Sequence, residues 1–185
     1  MVAFFQYGGK YAKNSVVWSR WLLYSIFTAV WHRVLNHYGA NYVKSRKYLG
    51  ILININDCDY IAPLSSPNPK TDYDNGVIRK SIIPIIRIVK LGKKAKLLGT
   101  IKLTNMIPIY DSTVLKYYDV NNETDINYKN LVLDELRLIY ANKNKIFHNA
   151  IKLYQQKINN MSMRYIKNTV DFQLLEEKAK LYKKS

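Results

Sequence analysis

Ser65 and Ser66 are the residues whose type and position most favour chemistry. They end a run of strand-forming residues, Asp59–Leu64, and precede Pro67-Asn68-Pro69. The two prolines rule out a helix at this point and impose a stiff, extended exit from the strand. The sequence therefore predicts two neighbouring hydroxyls at a rigid strand end, with Lys70 close behind. The structural alternative is a proline-braced turn in which the serines cap backbone groups.

The charge of the chain indicates a polyanionic partner. The formal net charge is +16 over 185 residues, and residues 1–56 contain no Asp or Glu. One-signed charge of this kind favours nucleic acid or an anionic membrane. The 16 tyrosines favour unpaired RNA, because aromatic rings stack on bases while Lys and Arg neutralise phosphates. An AT-rich coding composition is the alternative explanation of the tyrosine count.

A β-hairpin is predicted to bring a further cation to the serines. Tyr42–Ile55 alternates with period two and is typical of a strand. Asn56-Asp57 is predicted as the turn and Asp59–Leu64 as the returning strand. In this hairpin Arg46 and the two serines come from neighbouring strands. Lys47 ranks below Arg46, because alternation turns its side chain towards the apolar face.

Four segments, in order along the chain, resemble the ToxN/AbiQ family of type III toxin–antitoxin endoribonucleases. Asp59–Lys70, DYIAPLSSPNPK, resembles the family's A-P-L-[TS]-S-P-K segment. The other matches are the strands Tyr48–Ile53 and Leu98–Ile109 and the helical segments with Tyr128-Lys129, Leu136–Ile139, Ala141-Asn142 and Phe172–Lys178. The resemblance runs from about Val34 to the C-terminus, whereas residues 1–33 diverge from the family pattern.

This resemblance implies a metal-independent endoribonuclease toxin that acts on single-stranded RNA in phage abortive infection. It implies two kinds of RNA partner: a small structured repeat RNA, the antitoxin, held in RNA-bridged higher-order assemblies, and cellular or phage RNA as substrate. Length and the order of strands before helices favour a single α+β domain over residues 1–185. The resemblance adds a strongly twisted antiparallel sheet, a partly closed barrel, surrounded by helices, with a mainly helical C-terminal half.

RNA can be cut without a metal ion when a 2′-hydroxyl attacks its own phosphate, leaving a 2′,3′-cyclic phosphate. The protein then aligns the nucleophile, stabilises phosphate charge and assists proton transfer. Arg46 is the candidate for charge stabilisation, because a guanidinium binds phosphate through two hydrogen bonds. Neighbouring residues of an extended chain point to opposite sides, and the family has its fixed serine at the Ser66 position. Ser66 is therefore predicted as the principal catalytic hydroxyl, with Ser65 supporting phosphate binding.

The remaining site candidates are predicted to bind RNA. The resemblance carries a groove tyrosine over to Tyr11, which follows Lys10. Three further candidates lie in the first strand of the predicted hairpin: Lys44, Lys47 and Tyr48. Asn68 occupies the position of a family lysine, for which Lys70 is a candidate substitute. The family has a lysine where Arg46 stands, so the identity of the general acid and the general base stays open.

Local patterns predict the rest of the architecture. The predicted non-helical segments are a polar loop at Lys70–Gly76, a β-rich run over Val77–Lys90 kinked at Pro84, a basic turn at Gly92–Lys96 and a strand at Leu97–Leu103. The predicted helices are a short one capped by Asp111-Ser112-Thr113 and ending near Tyr118, Asn127–Ile158 broken at ANKNK, and a last one capped by Asp171. The apolar segment Val16–Trp31 is predicted as a buried helix or hairpin.

No metal, cofactor or disulfide chemistry is predicted. Cys58 is the only cysteine, and the three histidines have no metal-ligand spacing. A reducing, cytoplasmic location follows most simply. Two other classes stay open: a basic single-stranded-RNA-binding module without catalytic activity, and a membrane-associated protein anchored by Val16–Trp31. That segment is shorter than the ~20 apolar residues of a membrane span and contains Arg20.

Overall fold

The computed structural model describes residues 2–4, 16–19, 50–110, 115–118 and 120–182. The strands are β1 (Val2–Phe4), β2 (Val16–Ser19), β3 (Gly50–Ile55), β4 (Cys58–Ser65), β5 (Tyr73–Asp74), β6 (Val77–Ile78), β7 (Ile85–Lys90), β8 (Lys96–Lys102), β9 (Ile107–Ile109) and β10 (Leu115–Tyr118). The helices are α1 (Pro69–Asp72), α2 (Ile126–Ala141), α3 (Lys143–Ile158) and α4 (Phe172–Tyr182). The predicted α+β class, with a mainly helical C-terminal half, is confirmed.

Strand β4 is the centre of the main sheet, whose strand order is β1-β3-β4-β8-β7. Its pairing with β3, β8 and β9 is antiparallel, and only the described pair β1–β3 is parallel. Along one edge, β4 pairs with β3. Along its other edge, the first part of β4 pairs with β9 and its last two residues pair with β8. The sheet curls into a half barrel, as predicted.

The β3–β4 hairpin confirms the predicted turn. Asn56 and Asp57 both have positive φ, 50° and 60°, the conformation of a two-residue turn that suits the twist of paired strands. The register runs from Ile55 opposite Cys58 to Gly50 opposite Pro63. The first part of the predicted strand, before Gly50, lies outside the described residues.

Helices α3 and α4 pack against β3 and β9 and close the core. The face of α4 is fully buried through Phe172, Leu175 and Ala179. Tyr60 of β4 meets Phe172 edge to face, and the hydroxyls of Tyr60 and Tyr154 both donate to the Glu176 carboxylate. This network ties the last helix to the central strand.

Two helix predictions in this half are confirmed. The long helical segment breaks in two at Asn142, within the polar ANKNK stretch. Asp171 caps the last helix, because its Oδ1 accepts from the Leu174 N–H at 3.1 Å.

The prediction that the prolines exclude a helix is wrong. Pro69 starts α1 at the first helical position, where the missing N–H costs nothing and the fixed φ suits a helix. Asn68 supplies the cap. The predicted polar loop at Lys70–Gly76 is therefore replaced by α1 and the β5–β6 hairpin, which turns at Asn75-Gly76 with φ of 47° and 79°.

Two further predictions are corrected. The run Val77–Lys90 is divided between two sheets, since β6 pairs with β5 while β7 pairs with β8 after a turn at Pro84. Leu115–Tyr118 is a strand, not the end of a helix, because it pairs with Val16–Ser19. Beyond that strand, the rest of the apolar segment that ends at Trp31 lies outside the described residues. Among the helices that the structure describes, none has the length and apolar character of a membrane span.

Candidate active site

The two serines lie at the end of β4, as the sequence predicts. Ser65 is the last residue of the strand, is half-buried and pairs with Thr100 of β8. Ser66 follows outside the strand and is exposed. Paired residues of an antiparallel ladder point to the same face and neighbours along a strand to opposite faces. Ser65 therefore belongs to the Thr100 face, whereas a chain that stays extended turns Ser66 to the other face.

A row of three residues crosses the sheet at this position. Thr100 pairs with Ser65 on one side and with Arg87 of β7 on the other. The Thr100 hydroxyl is fully buried and has no hydrogen-bond partner among the described residues. The row connects the serine end of β4 to a buried arginine two strands away.

Asn68 and Lys70 form the start of the helix that follows the serines. The Asn68 side-chain oxygen accepts from the Lys70 N–H at 2.9 Å and caps α1. Its own N–H donates to Asp72 Oδ2 at 2.9 Å. Asn68 thus has a structural role at this turn, and Lys70 is exposed on the first turn of α1.

Arg87 and Asp72 form a buried ion pair next to this helix. Their closest atoms are 3.1 Å apart, and their side chains are only 4% and 6% exposed. The Arg87 guanidinium also donates to the carbonyls of Lys80 at 2.7 Å and Thr71 at 3.1 Å. Neither residue was selected from the sequence. The only sequence signal is that Arg87 stands between the apolar residues of the strand IIRIVK.

Glu135 is a second residue that the sequence analysis missed. It lies on α2 and is buried, and a Cβ at Gly99 would come within 2.6 Å of its Oε1. The same Cβ position is 3.2 Å from the Ser65 carbonyl oxygen, so the carboxylate lies within about 6 Å of that carbonyl. Burial raises the pKa of Glu135 to about 7. The available signal was its place in the helix, three residues after Val132 and four before Ile139, both in the core.

The other predicted site residues lie outside the described residues. They are Lys10, Tyr11, Lys44, Arg46, Lys47 and Tyr48. Within the described ranges, no three His, Cys, Asp or Glu side chains lie together as metal ligands. Cys58 is buried, and burial raises the pKa of its thiol to about 11.

Comparison with known proteins identifies a family and its relatives. The family model described as "Toxin ToxN, type III toxin-antitoxin system" matches residues 26–180. The chain is 30% identical to the endoribonuclease ToxN of Pectobacterium atrosepticum over 146 residues, which is 79% of this chain and 80% of that protein. It is 28% identical to the endoribonuclease AbiQ of Lactococcus lactis subsp. lactis over 74% of this chain and 73% of that protein.

Solved structures agree on the fold. The lactococcal anti-phage endoribonuclease AbiQ superposes with a TM-score of 0.74 at 24% identity, covering 92% of this chain and 98% of that chain. A toxin studied for its inhibition by a non-coding RNA pseudoknot superposes with a TM-score of 0.71 at 23% identity, with the same coverage. With the family model spanning most of its length, the chain belongs to the ToxN family, the endoribonuclease toxins of type III toxin–antitoxin systems.

Proposed function

We propose that this endoribonuclease toxin cleaves single-stranded RNA without a metal ion. The 2′-hydroxyl attacks the adjacent phosphate and the 5′-oxygen leaves, which gives a 2′,3′-cyclic phosphate and a 5′-hydroxyl. The observation that supports this best is the serine pair at the end of β4, where Ser66 is exposed and the chain beyond it is anchored by a buried ion pair. Hydroxyls held on a fixed backbone can donate to a phosphate whose charge grows in the transition state.

We assign the roles within this site by residue type. Ser66 is the principal hydroxyl and Ser65 supports phosphate binding. Arg46 stabilises the charge of the phosphate. The RNA strand is bound by Lys70, Asn68 and the basic and aromatic residues of the N-terminal part: Lys10, Tyr11, Lys44, Lys47 and Tyr48. These roles rest on residue type and on the family motif.

The partner that controls the toxin is a small structured RNA made of repeats. One structural relative was studied as a toxin selectively inhibited by a non-coding RNA pseudoknot, and another belongs to an antiviral system that a processed non-coding RNA regulates. The net charge of +16 supports an RNA partner for this chain too. We place the toxin in the cytoplasm, as one domain over residues 1–185, held with its antitoxin in an RNA-bridged assembly.

Cleavage of a defined RNA by the purified protein tests this proposal. We expect activity to survive EDTA and the products to carry a cyclic phosphate. Ser66→Ala should lower the rate about 100-fold or more, as loss of a transition-state donor does, and should still bind the antitoxin RNA. Ser65→Ala is the matched control and should lose much less. Loss of activity with the chelator, 3′-hydroxyl products, or an active Ser66→Ala would each refute part of the mechanism. RNA binding without any cleavage would favour the non-catalytic RNA-binding module.

A further inference from the structure

The chain beyond the serines is anchored at its first available backbone donor. Pro67 has no N–H, so Asn68 supplies the first backbone N–H after Ser66. That group donates to Asp72 Oδ2 at 2.9 Å, while the Asn68 carbonyl accepts from the N–H of Asp72 at 2.9 Å. Asp72 therefore binds the serine-bearing segment twice, through its side chain and through its backbone.

Asp72 is in turn fixed by Arg87. The guanidinium contacts Asp72 Oδ1 at 3.1 Å, and the same nitrogen donates to the Thr71 carbonyl at 3.1 Å. The second terminal nitrogen donates to the Lys80 carbonyl at 2.7 Å, and the backbone N–H of Arg87 donates to Ser81 Oγ at 2.8 Å. One arginine thus holds both ends of the segment that leaves the serines and returns to the sheet.

Arg87 is itself part of the sheet that carries Ser65. Both residues pair with Thr100, from opposite sides. Since neighbouring strands lie about 4.8 Å apart, the two backbones are roughly 10 Å apart across β8. A short chain of contacts therefore runs from the sheet at Arg87 through Asp72 to Asn68, two residues after Ser66.

We propose that Asp72 and Arg87 are positioning residues for the cleavage reaction: they fix the Ser66 hydroxyl relative to the sheet without touching RNA. The inference rests on the role proposed for Ser66. A buried ion pair costs desolvation and often adds no stability over apolar side chains of the same size. We infer that this ion pair instead serves to fix the position of the Asn68 backbone, which donates to Asp72. A group displaced by about 1 Å can cost about 100-fold in rate.

Two variants separate positioning from packing. Asp72→Leu combined with Arg87→Met removes both charges, so that no unpaired charge is buried. Asp72→Glu keeps the charge pair but moves the carboxylate by one methylene. The matched control is Asp74→Asn combined with Arg79→Gln, which removes an exposed ion pair of 3.7 Å from the same segment. Both double variants leave the net charge unchanged.

The assay is kcat and KM on a labelled single-stranded transcript that the wild type cuts, together with hydrogen exchange of the Asn68 amide. We expect kcat of the Leu/Met variant to fall at least about tenfold, with KM within about threefold of wild type. The Asn68 amide should exchange at least about tenfold faster, because its acceptor is lost. Asp72→Glu should lose kcat severalfold, and the control should match wild type in all three measurements.

A folded Leu/Met variant with kcat within about twofold of wild type overturns the inference. If that variant does not fold, Asp72→Glu decides by itself, since an unchanged kcat there has the same meaning. Ser66→Ala, measured beside them, tests the serine separately. An inactive Ser66→Ala with fully active Asp72 variants overturns the positioning role and leaves the proposed function intact. A fully active Ser66→Ala overturns the proposed function.

Discussion

Replacing Glu135 by Gln should change how the stability of this protein depends on pH. Burial raises the pKa of Glu135 from 4.5 to about 7, so the folded protein keeps this carboxyl protonated in a range where the unfolded chain ionises it. The neutral Glu135 carboxyl therefore contributes its full stabilisation of the folded state below pH 4.5, and this contribution is lost as the pH rises from 4.5 through about 7. At about 1.4 kcal/mol for each unit of pKa, the difference corresponds to about 3 kcal/mol. Gln has the shape of the neutral acid and does not titrate.

The assay is urea denaturation followed by tryptophan fluorescence at pH 5.0 and pH 8.5. Since the unfolded carboxyl is already partly ionised at pH 5.0, the difference in unfolding free energy between Glu135→Gln and wild type should grow in favour of the variant by about 2.5 kcal/mol between the two pH values. Glu177→Gln, at an exposed position on α4, is the control for the loss of one carboxylate at the protein surface. A difference for Glu135→Gln that stays constant within about 0.5 kcal/mol would show that this carboxyl is not held neutral in the folded protein.

Three further outcomes follow from described contacts. Gly99→Ala should destabilise the fold by about 1–3 kcal/mol in urea denaturation, because the new Cβ would clash with Glu135 Oε1. The same substitution should cost less in a protein that also carries Glu135→Ala, and equal costs in the two backgrounds would contradict the contact. Asp125→Ala should cost about 1 kcal/mol, because its Oδ1 accepts from the N–H groups of Asn127 and Tyr128 at the start of α2; an unchanged melting temperature would refute this cap. Cys58 should resist a thiol reagent at pH 8 until the protein unfolds, because burial raises its pKa to about 11; rapid labelling of the native protein would contradict its burial.

The β3–β4 hairpin was predictable because every determinant is local. Period-two alternation, two turn residues that tolerate positive φ and a proline near the strand end lie within a short stretch. Strand β10 was predicted as part of a helix for the opposite reason. Its partner β2 is nearly one hundred residues away, and tertiary pairing overrides a local capping signal.

Among the described residues of the candidate site, the sequence points only to the serines and to Asn68 and Lys70 just after them. The A-P-L-S-S-P segment identifies Ser65 and Ser66, but the residues that surround them come from β7 and α2. Arg87 lies across β8 from Ser65, and Glu135 comes near the Ser65 carbonyl at Gly99 of β8, so both depend on the folded sheet. Proline is excluded from a helix interior but suits the first helical position, so Pro69 starts α1 because Asn68 before it supplies the N-cap.

Buried charge limits what the net charge says about RNA. Arg87 adds to the +16 of the chain, yet its guanidinium is enclosed and paired with Asp72. Only cations that reach phosphate release counterions, and for single strands log K then falls with log salt by about 0.7 for each phosphate contacted.

The affinity of the wild type for a single-stranded RNA should therefore fall steeply with salt. Lys70→Gln should make that slope shallower by about 0.7, because Lys70 is exposed and follows Ser66 by four residues. The Asp72→Leu, Arg87→Met variant should keep the wild-type slope, measured by fluorescence anisotropy over a salt series. A shallower slope for that variant would mean that Arg87 contacts RNA, and a flat response of the wild type would refute the electrostatic model of binding.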